Sequence, residues 1–174
     1  GWVRVQTGVI KDQLNAFLKP YGFFFSPDLS TSNRATLGGM INTDASGQGS
    51  LVYGKTSDHV LALTSVMVNG ELLETGPCVA SDVLQQDDIS GQVANICHEN
   101  RKLILAKFPR LNRFLTGYDL EHVFNDDLSQ FNLSRILTGS EGSLAFITEA
   151  KLNLTPIPTQ RTLINIIYDS FDSA

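Results

Sequence analysis

The residues of this chain best suited to chemistry form two glycine-rich turns that lie far apart in the sequence. The first is the fourteen-residue run 36–49, TLGGMINTDASGQG, and the second is the run 139–143, GSEGS. Glycine leaves its N–H accessible and adopts positive φ, so such turns can present donors to a phosphate or lie close to a planar ring. The paired turns predict a ligand-binding site, against the simpler alternative of two solvated turns.

A second candidate overlaps the first run, because residues 49–56 read GSLVYGKT and match the P-loop pattern GxxxxGK[ST]. A P-loop needs a buried strand before its glycines and a helix after them. Here small and polar residues precede the motif, and the strand-like residues 60–68 follow it. A nucleotide-binding protein that uses Gly49 to Thr56 is therefore an alternative and not the main interpretation.

Other catalytic and metal-binding patterns fit the chain poorly. A Rossmann fingerprint would need a third glycine at Val52, and a nucleophile elbow would need serine at Glu141. The adjacent residues Cys97, His98 and Glu99 would point about 100° apart on a helix, so they do not share a site easily. The sequence predicts no metal site and leaves the catalytic residues unknown.

Composition limits the class of protein. With 174 residues, 42% of them hydrophobic, the chain can form one sizeable core, or one domain with part of another. Its net charge is -5 and its thirteen basic residues are scattered, which excludes a nucleic-acid surface. Two cysteines without CxxC spacing predict free thiols in a reducing compartment, with Cys97 in the core. No apolar run reaches the ~18 residues of a membrane-spanning helix.

The elements that position the turns follow from hydrophobic periodicity. Alternating apolar residues predict strands over 1–5, 59–68, 71–75, 144–148, 151–154 and 161–168. Helical spacing predicts a helix over 10–18 that includes Phe17 on its apolar face, and another over 88–108 that stops at Pro109. Asn69 and Gly70 predict a two-residue hairpin turn. These elements predict an α+β fold with a mainly antiparallel sheet and flanking helices.

Seven motifs occur in an order that is similar to a known family. They are Pro27-Asp28, ATLGGMI at 35–41, DASG at 44–47, Tyr53-Gly54, Asn69-Gly70-Glu71, GYDL at 117–120 and GSEGSL at 139–144. The chain resembles the FAD-linked oxidases, the vanillyl-alcohol oxidase or PCMH-type flavoprotein superfamily. Within it, the chain looks most like bacterial D-2-hydroxyacid dehydrogenases of the D-lactate, glycolate and D-2-hydroxyglutarate group.

The resemblance implies a fragment of a larger flavoprotein. In this family two subdomains enclose FAD, and residues 1–155 look like the second of them. Residues 156–174 would be a linker and the first strand of a truncated substrate-binding cap. FAD would be shared with a preceding subdomain. The catalytic groups would lie elsewhere in the parent protein, where the resemblance also allows an iron-sulfur cluster. The fragment alone is expected to be inactive.

The resemblance also implies which residues line the cofactor. They are Pro27, Asp28, Thr36, Gly38, Gly39, Asn42, Thr43, Asp44 and Ser46 in the first part of the chain, and Gly139, Glu141, Gly142 and Ile147 in the second. This chemistry suits FAD, because a pyrophosphate accepts from backbone N–H groups and a flat ring needs close approach. Asp44 departs from the family, which usually has asparagine there, and an ionised carboxylate cannot donate a hydrogen bond.

The implied activity is oxidation of a small D-2-hydroxy acid, of the 2-hydroxyglutarate or lactate type, with electrons passing to a respiratory or other acceptor. The implied location is cytoplasmic, with peripheral association to the inner membrane as an option for the parent. Two other classes stay open. A P-loop protein would be stabilised by Mg-ATP through Lys55, and a non-catalytic binding module would show no dependence on flavin.

Overall fold

The computed structural model describes residues 1–109, 111, 117–160 and 162–173. Its largest sheet has four antiparallel strands, which are β1 (Trp2–Gln6), β3 (Val60–Val66), β4 (Leu72–Thr75) and β7 (Phe146–Asn153). Their spatial order is β1-β7-β3-β4, so β7 lies between β1, which is an edge strand, and β3. Two further pairs are β2 (Phe23–Phe24) with β8 (Thr155–Pro156), and β5 (Cys78–Val79) with β6 (Gln130–Phe131).

Seven short helices among the described residues surround these strands. They are α1 (Lys11–Leu18), α2 (Leu37–Asn42), α3 (Ser50–Tyr53), α4 (Ala80–Val83), α5 (Ile89–Glu99), α6 (Arg101–Lys107) and α7 (Ser134–Leu137). Single 3-10 turns lie at Lys19–Tyr21, Thr56–Asp58 and Phe171–Ser173. The predicted α+β fold with a mainly antiparallel sheet and flanking helices is confirmed.

The apolar side chains form two cores, and the first of them supports the glycine turns. It joins the sheet to α1 and α2, and Phe25, Leu37 and Leu152 are fully buried in it. The second core gathers α4, α5, β6 and α7 around Phe131. Cys97 is 1% exposed within this second core, which confirms its predicted core position.

The helix predicted over 88–108 is in fact two helices. It begins as expected after Asp88, whose carboxylate accepts a hydrogen bond from the N–H of Gly91 at 2.9 Å. It breaks at Asn100, where the side-chain amide donates to the carbonyl of Ile96 at 2.9 Å. An asparagine side chain that bonds the backbone in this way competes with helix continuation. Ile96, in the last turns of the first of these helices, is 60% exposed.

The hairpin between β3 and β4 is confirmed, but its turn is one residue longer than predicted. The N–H of Gly70 donates to the carbonyl of Met67 at 2.9 Å, and the N–H of Met67 donates to the carbonyl of Glu71 at 2.9 Å. Three residues, 68–70, therefore form the loop, with Gly70 at φ 85°. This geometry is that of a turn followed by a left-handed residue and a bulge.

Three other predictions about elements are revised by the structure. The strands predicted over 144–148 and 151–154 are one strand, β7, which pairs with β1 on one side and β3 on the other. The predicted linker begins at Pro156, which instead lies in β8, and the proline is tolerated there because β8 lies at the edge of a two-stranded sheet. Residues 162–168 have no regular secondary structure, and Arg161 lies outside the described residues.

Candidate functional site

Backbone hydrogen bonds bring the two glycine turns together. The N–H of Gly139 donates to the carbonyl of Ile41 at 2.9 Å, and the N–H of Glu141 donates to the carbonyl of Asn42 at 2.8 Å. The acceptors are carbonyls near the end of α2, where few helical N–H groups remain to bond them. The C-terminal end of α2, which belongs to the first glycine turn, is therefore hydrogen-bonded directly to the second turn.

The contact between the turns creates a groove of about 390 Å³, called here the glycine groove. It is lined by Thr7, Gly8, Thr36, Gly38, Gly39, Asn42, Gly142, Ala145, Phe146 and Ile147. Six of the predicted cofactor residues are among these ten. Within the groove, the side-chain oxygen of Asn42 is buried and has no hydrogen-bond partner in the described structure. An unsatisfied buried acceptor at a groove wall suits a ligand that donates a hydrogen bond.

A second cleft, of about 480 Å³, is called the Ser46 cleft and is lined by residues 28–31 and 46–48. It contains the predicted residues Asp28 and Ser46, and Pro27 is fully buried next to Asp28. The hydroxyl oxygen of Ser46 is also buried without a partner among the described residues. The remaining predicted residues, Thr43, Asp44, Gly139 and Glu141, line a small crevice where the turns meet.

The N–H groups of the first two glycines form hydrogen bonds within the chain. The N–H of Gly38 donates to the carbonyl of Thr7 at 2.8 Å, and the N–H of Gly39 donates to the hydroxyl of Thr36 at 3.2 Å. Thr36 is the N-cap of α2, so Gly39 lies in the first turn of a helix. A Cβ on Gly38 would lie 2.9 Å from Cβ of Thr7. Both N–H groups are therefore used within the chain.

The available backbone donors lie later in the same run. No hydrogen bond joins the N–H groups of residues 46–49 to any other described residue. Three of these four residues line the Ser46 cleft. Consecutive free N–H groups are the usual backbone device for holding an anionic group such as a phosphate. The donor function predicted for the glycine run thus fits its second half better than Gly38 and Gly39.

Backbone strain is concentrated where the turns meet. Asp44 and Glu141 have φ values of 44° and 54°, and Gly139 and Gly142 have φ values of 83° and 70°. A residue other than glycine pays an energetic cost in this region, and such residues cluster at ligand sites. Glu141 itself is exposed. Its backbone conformation, more than its carboxylate, shapes the wall of the small crevice where the turns meet.

Lys55 does not occupy the position of a P-loop lysine. It is 8% exposed, pairs with the carboxylate of Asp44, and donates to the hydroxyl of Ser57 at 2.8 Å. A P-loop lysine must instead reach the phosphates of a nucleotide. The preceding residues Leu51 and Val52 are 87% and 78% exposed, so the segment wraps no enclosed site. The structure does not favour the nucleotide-binding alternative.

A further pair of charged residues lies beside the same crevice. The carboxylate of Asp119 is 2.7 Å from Nδ1 of His122. Burial by itself raises the pKa of Asp119, but the hydrogen bond and charge of His122, with smaller effects of nearby cations, hold that pKa below 3.8. The hydrogen bond to Asp119 raises the pKa of His122 above 6.5. This pair joins two positions within the loop that carries the 117–120 motif.

The pair predicts a pH dependence of stability. Because the pKa of His122 is raised on folding, its stabilisation is fully present below pH 6.5 and is lost as the pH rises through the folded-state pKa. The pKa of Asp119 is lowered, so its stabilisation is present above pH 3.8 and is lost as the pH falls through the lowered pKa. We expect the free energy of unfolding, measured with urea, to decrease as the pH rises above 6.5 and through the raised pKa of His122.

Two variants test this assignment. His122→Gln should flatten the decrease in the free energy of unfolding above pH 6.5. His98→Gln is the matched control, because His98 is exposed and has no ion pair among the described residues, and this variant should keep the decrease. An unchanged slope in His122→Gln would contradict the assignment.

Sequence reasoning missed several residues of the site. Thr7 and Gly8 line the glycine groove, and the hydroxyl of Thr7 donates to the carbonyl of Ile147 at 2.9 Å. Their position directly after β1 was the available signal, since the end of a strand can face a site formed by its neighbours. Lys55 was noted only as part of a P-loop pattern.

Neither a metal cluster nor a membrane span is found in the part of the chain that the structure describes. No group of His, Cys, Asp or Glu there could hold a metal ion, and none of the helices there has the length and apolar character of a membrane-spanning segment.

Comparison with known families shows what this chain is similar to. Residues 1–76 match the family model described as an FAD binding domain. The fold is similar to that of alkyldihydroxyacetonephosphate synthase, with a TM-score of 0.54 and 22% sequence identity. That similarity covers 91% of this chain and 20% of the synthase, and it supports the fold alone. The predicted resemblance to the FAD-linked oxidases is confirmed.

Several individual proteins are similar to this chain over nearly its whole length. D-2-hydroxyglutarate dehydrogenase of Pantoea ananatis (strain AJ13355) is 64% identical over 99% of this chain, and that of Escherichia coli (strain K12) is 62% identical over 100%. A glycolate oxidase subunit of Bacillus subtilis (strain 168) is 29% identical over 98%. The chain spans 18% of the first two relatives and 27% of the third. It therefore corresponds to one segment of these longer proteins.

Proposed function

We propose that this chain is a segment of an FAD-dependent dehydrogenase that oxidises D-2-hydroxyglutarate or a similar small D-2-hydroxy acid. The observation that carries the proposal is the 64% identity to a D-2-hydroxyglutarate dehydrogenase over 99% of the chain. The segment contributes one wall of the FAD site, and the remaining wall and the substrate groups come from other parts of the longer protein. The meeting of the two glycine turns supports this role for the segment.

The residues of the two clefts fit FAD. The buried unsatisfied oxygens of Asn42 and Ser46 and the free N–H groups of residues 46–49 match a cofactor that carries both hydrogen-bond donors and a pyrophosphate. Gly142 is exposed, and a Cβ there would meet only the amide nitrogen of Asn42, at 3.8 Å. Bound FAD supplies the acceptor for the hydride of the substrate's hydroxyl-bearing carbon.

This chain binds and orients the cofactor in the proposed mechanism. Its backbone turns form one side of the groove, and the Asn42 amide can orient a polar group of the cofactor. A base for the substrate hydroxyl and a cationic clamp for the carboxylates are needed as well. We assign both to other segments of the longer protein, together with the electron acceptor, peripheral membrane association and any iron-sulfur cluster.

FAD binding tests the proposal. The longer protein that carries this segment should bind FAD tightly, and D-2-hydroxyglutarate should bleach its flavin absorbance. The isolated chain, titrated with FAD and followed by flavin fluorescence, should bind weakly because both clefts are open to solvent on one side. Tight stoichiometric binding by the isolated chain would contradict the division of the site between segments.

A substitution at Asn42 tests which residues take part. In the longer protein, Asn42→Ala removes the unsatisfied oxygen and should weaken FAD binding about tenfold, or ~1.4 kcal/mol, the worth of one hydrogen bond. Asn33→Ala is the control, because Asn33 is exposed and lines neither cleft. Equal affinities of the two variants for FAD would remove Asn42 from the site.

Activity of the longer protein on D-2-hydroxyglutarate without any flavin would instead support a different class of protein.

A further inference from the structure

A buried ion pair lies directly beneath the junction of the two glycine turns. Asp44 is 7% exposed and Lys55 is 8% exposed, and the Lys55 ammonium contacts the Asp44 carboxylate. The other carboxylate oxygen of Asp44 accepts from the N–H of Ser57 at 2.7 Å. Removing two charges from water costs several kcal/mol per ion, so a buried pair is weak support for stability by itself. Its position indicates a role in geometry.

Asp44 occupies an unfavourable place in the helix-ending turn. The N–H of Ala45 donates to the carbonyl of Met40 at 2.9 Å, and the N–H of Asp44 donates to the carbonyl of Ile41 at 3.1 Å. These two bonds form a Schellman motif, in which the left-handed residue is usually glycine or asparagine. Here that residue is Asp44, with φ 44°. Its negative charge also lies at the negative end of the helix.

Lys55 and Ser57 offset both disadvantages. Lys55 neutralises the charge, and the Ser57 N–H and hydroxyl, the latter at 3.1 Å, hold the carboxylate in one orientation. The N–H of Thr56 donates to the carbonyl of Ala45 at 3.1 Å, so backbone bonds reinforce the same contact. The segment that resembles a P-loop therefore serves to fix the end of α2.

The fixed turn in turn positions the second glycine run. The carbonyl of Ile41 accepts from Asp44 in the Schellman motif and also from the N–H of Gly139 at 2.9 Å. A Cβ on Gly139 would lie 3.3 Å from Cβ of Asp44, so the two residues are packed against each other. A change in the conformation of Asp44 would therefore move the acceptor and the neighbour of Gly139 together.

We propose that Asp44 and Lys55 are a positioning pair, which holds the two glycine turns in the arrangement that binds the cofactor. The inference rests on the proposed FAD-binding function for its effect on affinity, but not for its effect on the turns. The pair itself makes no contact with the cofactor in this proposal. A neutral asparagine at position 44 needs no cation, so Asp44→Asn should remove the requirement for Lys55.

Amide hydrogen exchange of the isolated chain tests the structural step. In Lys55→Met, exchange of the Gly139 and Glu141 N–H groups should accelerate about tenfold more than exchange of the amides in β7. The double variant Asp44→Asn/Lys55→Met should restore slow exchange. Lys151→Met, which removes a lysine over the ring of Trp2 on the sheet, should leave the turns unchanged. A uniform acceleration across the chain, or none, would overturn the proposal.

FAD affinity in the longer protein tests the functional step. Lys55→Met should raise the dissociation constant of FAD about tenfold, and the double variant should return it close to the unsubstituted value. If Lys55→Met does not fold, the double variant decides, because weak FAD binding by a folded double variant would overturn the proposal. Faster exchange with unchanged affinity would overturn the link to the cofactor. Absence of FAD binding by the unsubstituted protein would reject the proposed function, while the exchange result would stand.

Discussion

Gly47→Ala is expected to lower the free energy of unfolding of this chain by about 3 kcal/mol, because a side chain at this position meets backbone that cannot move aside. A Cβ on Gly47 would lie 1.9 Å from the carbonyl oxygen of Asp28 and 2.8 Å from its carbonyl carbon. Both loops of the Ser46 cleft would have to separate to relieve this overlap. Urea unfolding followed by circular dichroism measures the loss.

Gly8→Ala is the matched control for this prediction. Gly8 lines the glycine groove, but a Cβ there would meet nothing within 4 Å, and its φ is not left-handed. Gly8→Ala should therefore leave stability unchanged or raise it by up to about 1 kcal/mol, since alanine restricts the unfolded chain. A Gly47→Ala variant as stable as Gly8→Ala would show that the two loops do not lie in contact in solution.

Gly47 illustrates what the composition of the glycine run could and could not reveal. The run correctly predicts that backbone must be approached closely at this place. It does not reveal whether the approaching group is a ligand or another loop of the same chain. At Gly47 the group is the carbonyl of Asp28, and at Gly38 it is the side chain of Thr7. Close approach is a local property, whereas the identity of the neighbour depends on the tertiary fold.

The fold was predictable where one pattern dominates. The alternation in β3 and the Asn69-Gly70 turn signal predict a hairpin because both are local and agree. The pairing of β7 with β1 and β3 was not predictable, because it joins residues roughly 80 to 150 positions apart and depends on which surfaces the rest of the chain buries. β8 was missed because it and its partner β2 have only two residues each, which is too short for an alternating pattern to show.

The candidate site was predictable from its motifs, but the roles of individual residues were not. The ordered motifs indicated the flavoprotein family and two segments that would face the cofactor. The hydrogen bonds that occupy Gly38 and Gly39 arise from a helix cap and a strand end, neither of which is visible in a motif. Asp44 was noted as a departure from the family, whereas its partner Lys55, eleven residues later, was considered only as part of the P-loop pattern. Contributions of the predicted residues to cofactor binding stay predictions.

Phe25→Ala is expected to lower the free energy of unfolding by about 3–5 kcal/mol, a large fraction of the stability of a domain of this size. Phe25 is 0% exposed, and its ring lies edge-on to His59 with centroids 5.8 Å apart. The side chain of Asn15 binds both its N–H, at 2.8 Å, and its carbonyl, at 3.4 Å. Because the backbone is held on both sides, the structure cannot collapse into the cavity that alanine would leave.

Phe17→Ala separates burial from residue type in the same experiment. The spacing of the sequence places Phe17 on the apolar face of the first helix, but the side chain is 61% exposed and its ring contacts only that of Tyr21 among the described aromatic rings, at 5.7 Å. Its removal should cost about 0.5 kcal/mol or less. Equal losses for the two variants in urea unfolding would mean that α1 is rotated in solution so that Phe17 enters the first core. A sixfold or larger difference, about 3 kcal/mol against about 0.5, follows from the orientation of α1 in the structure.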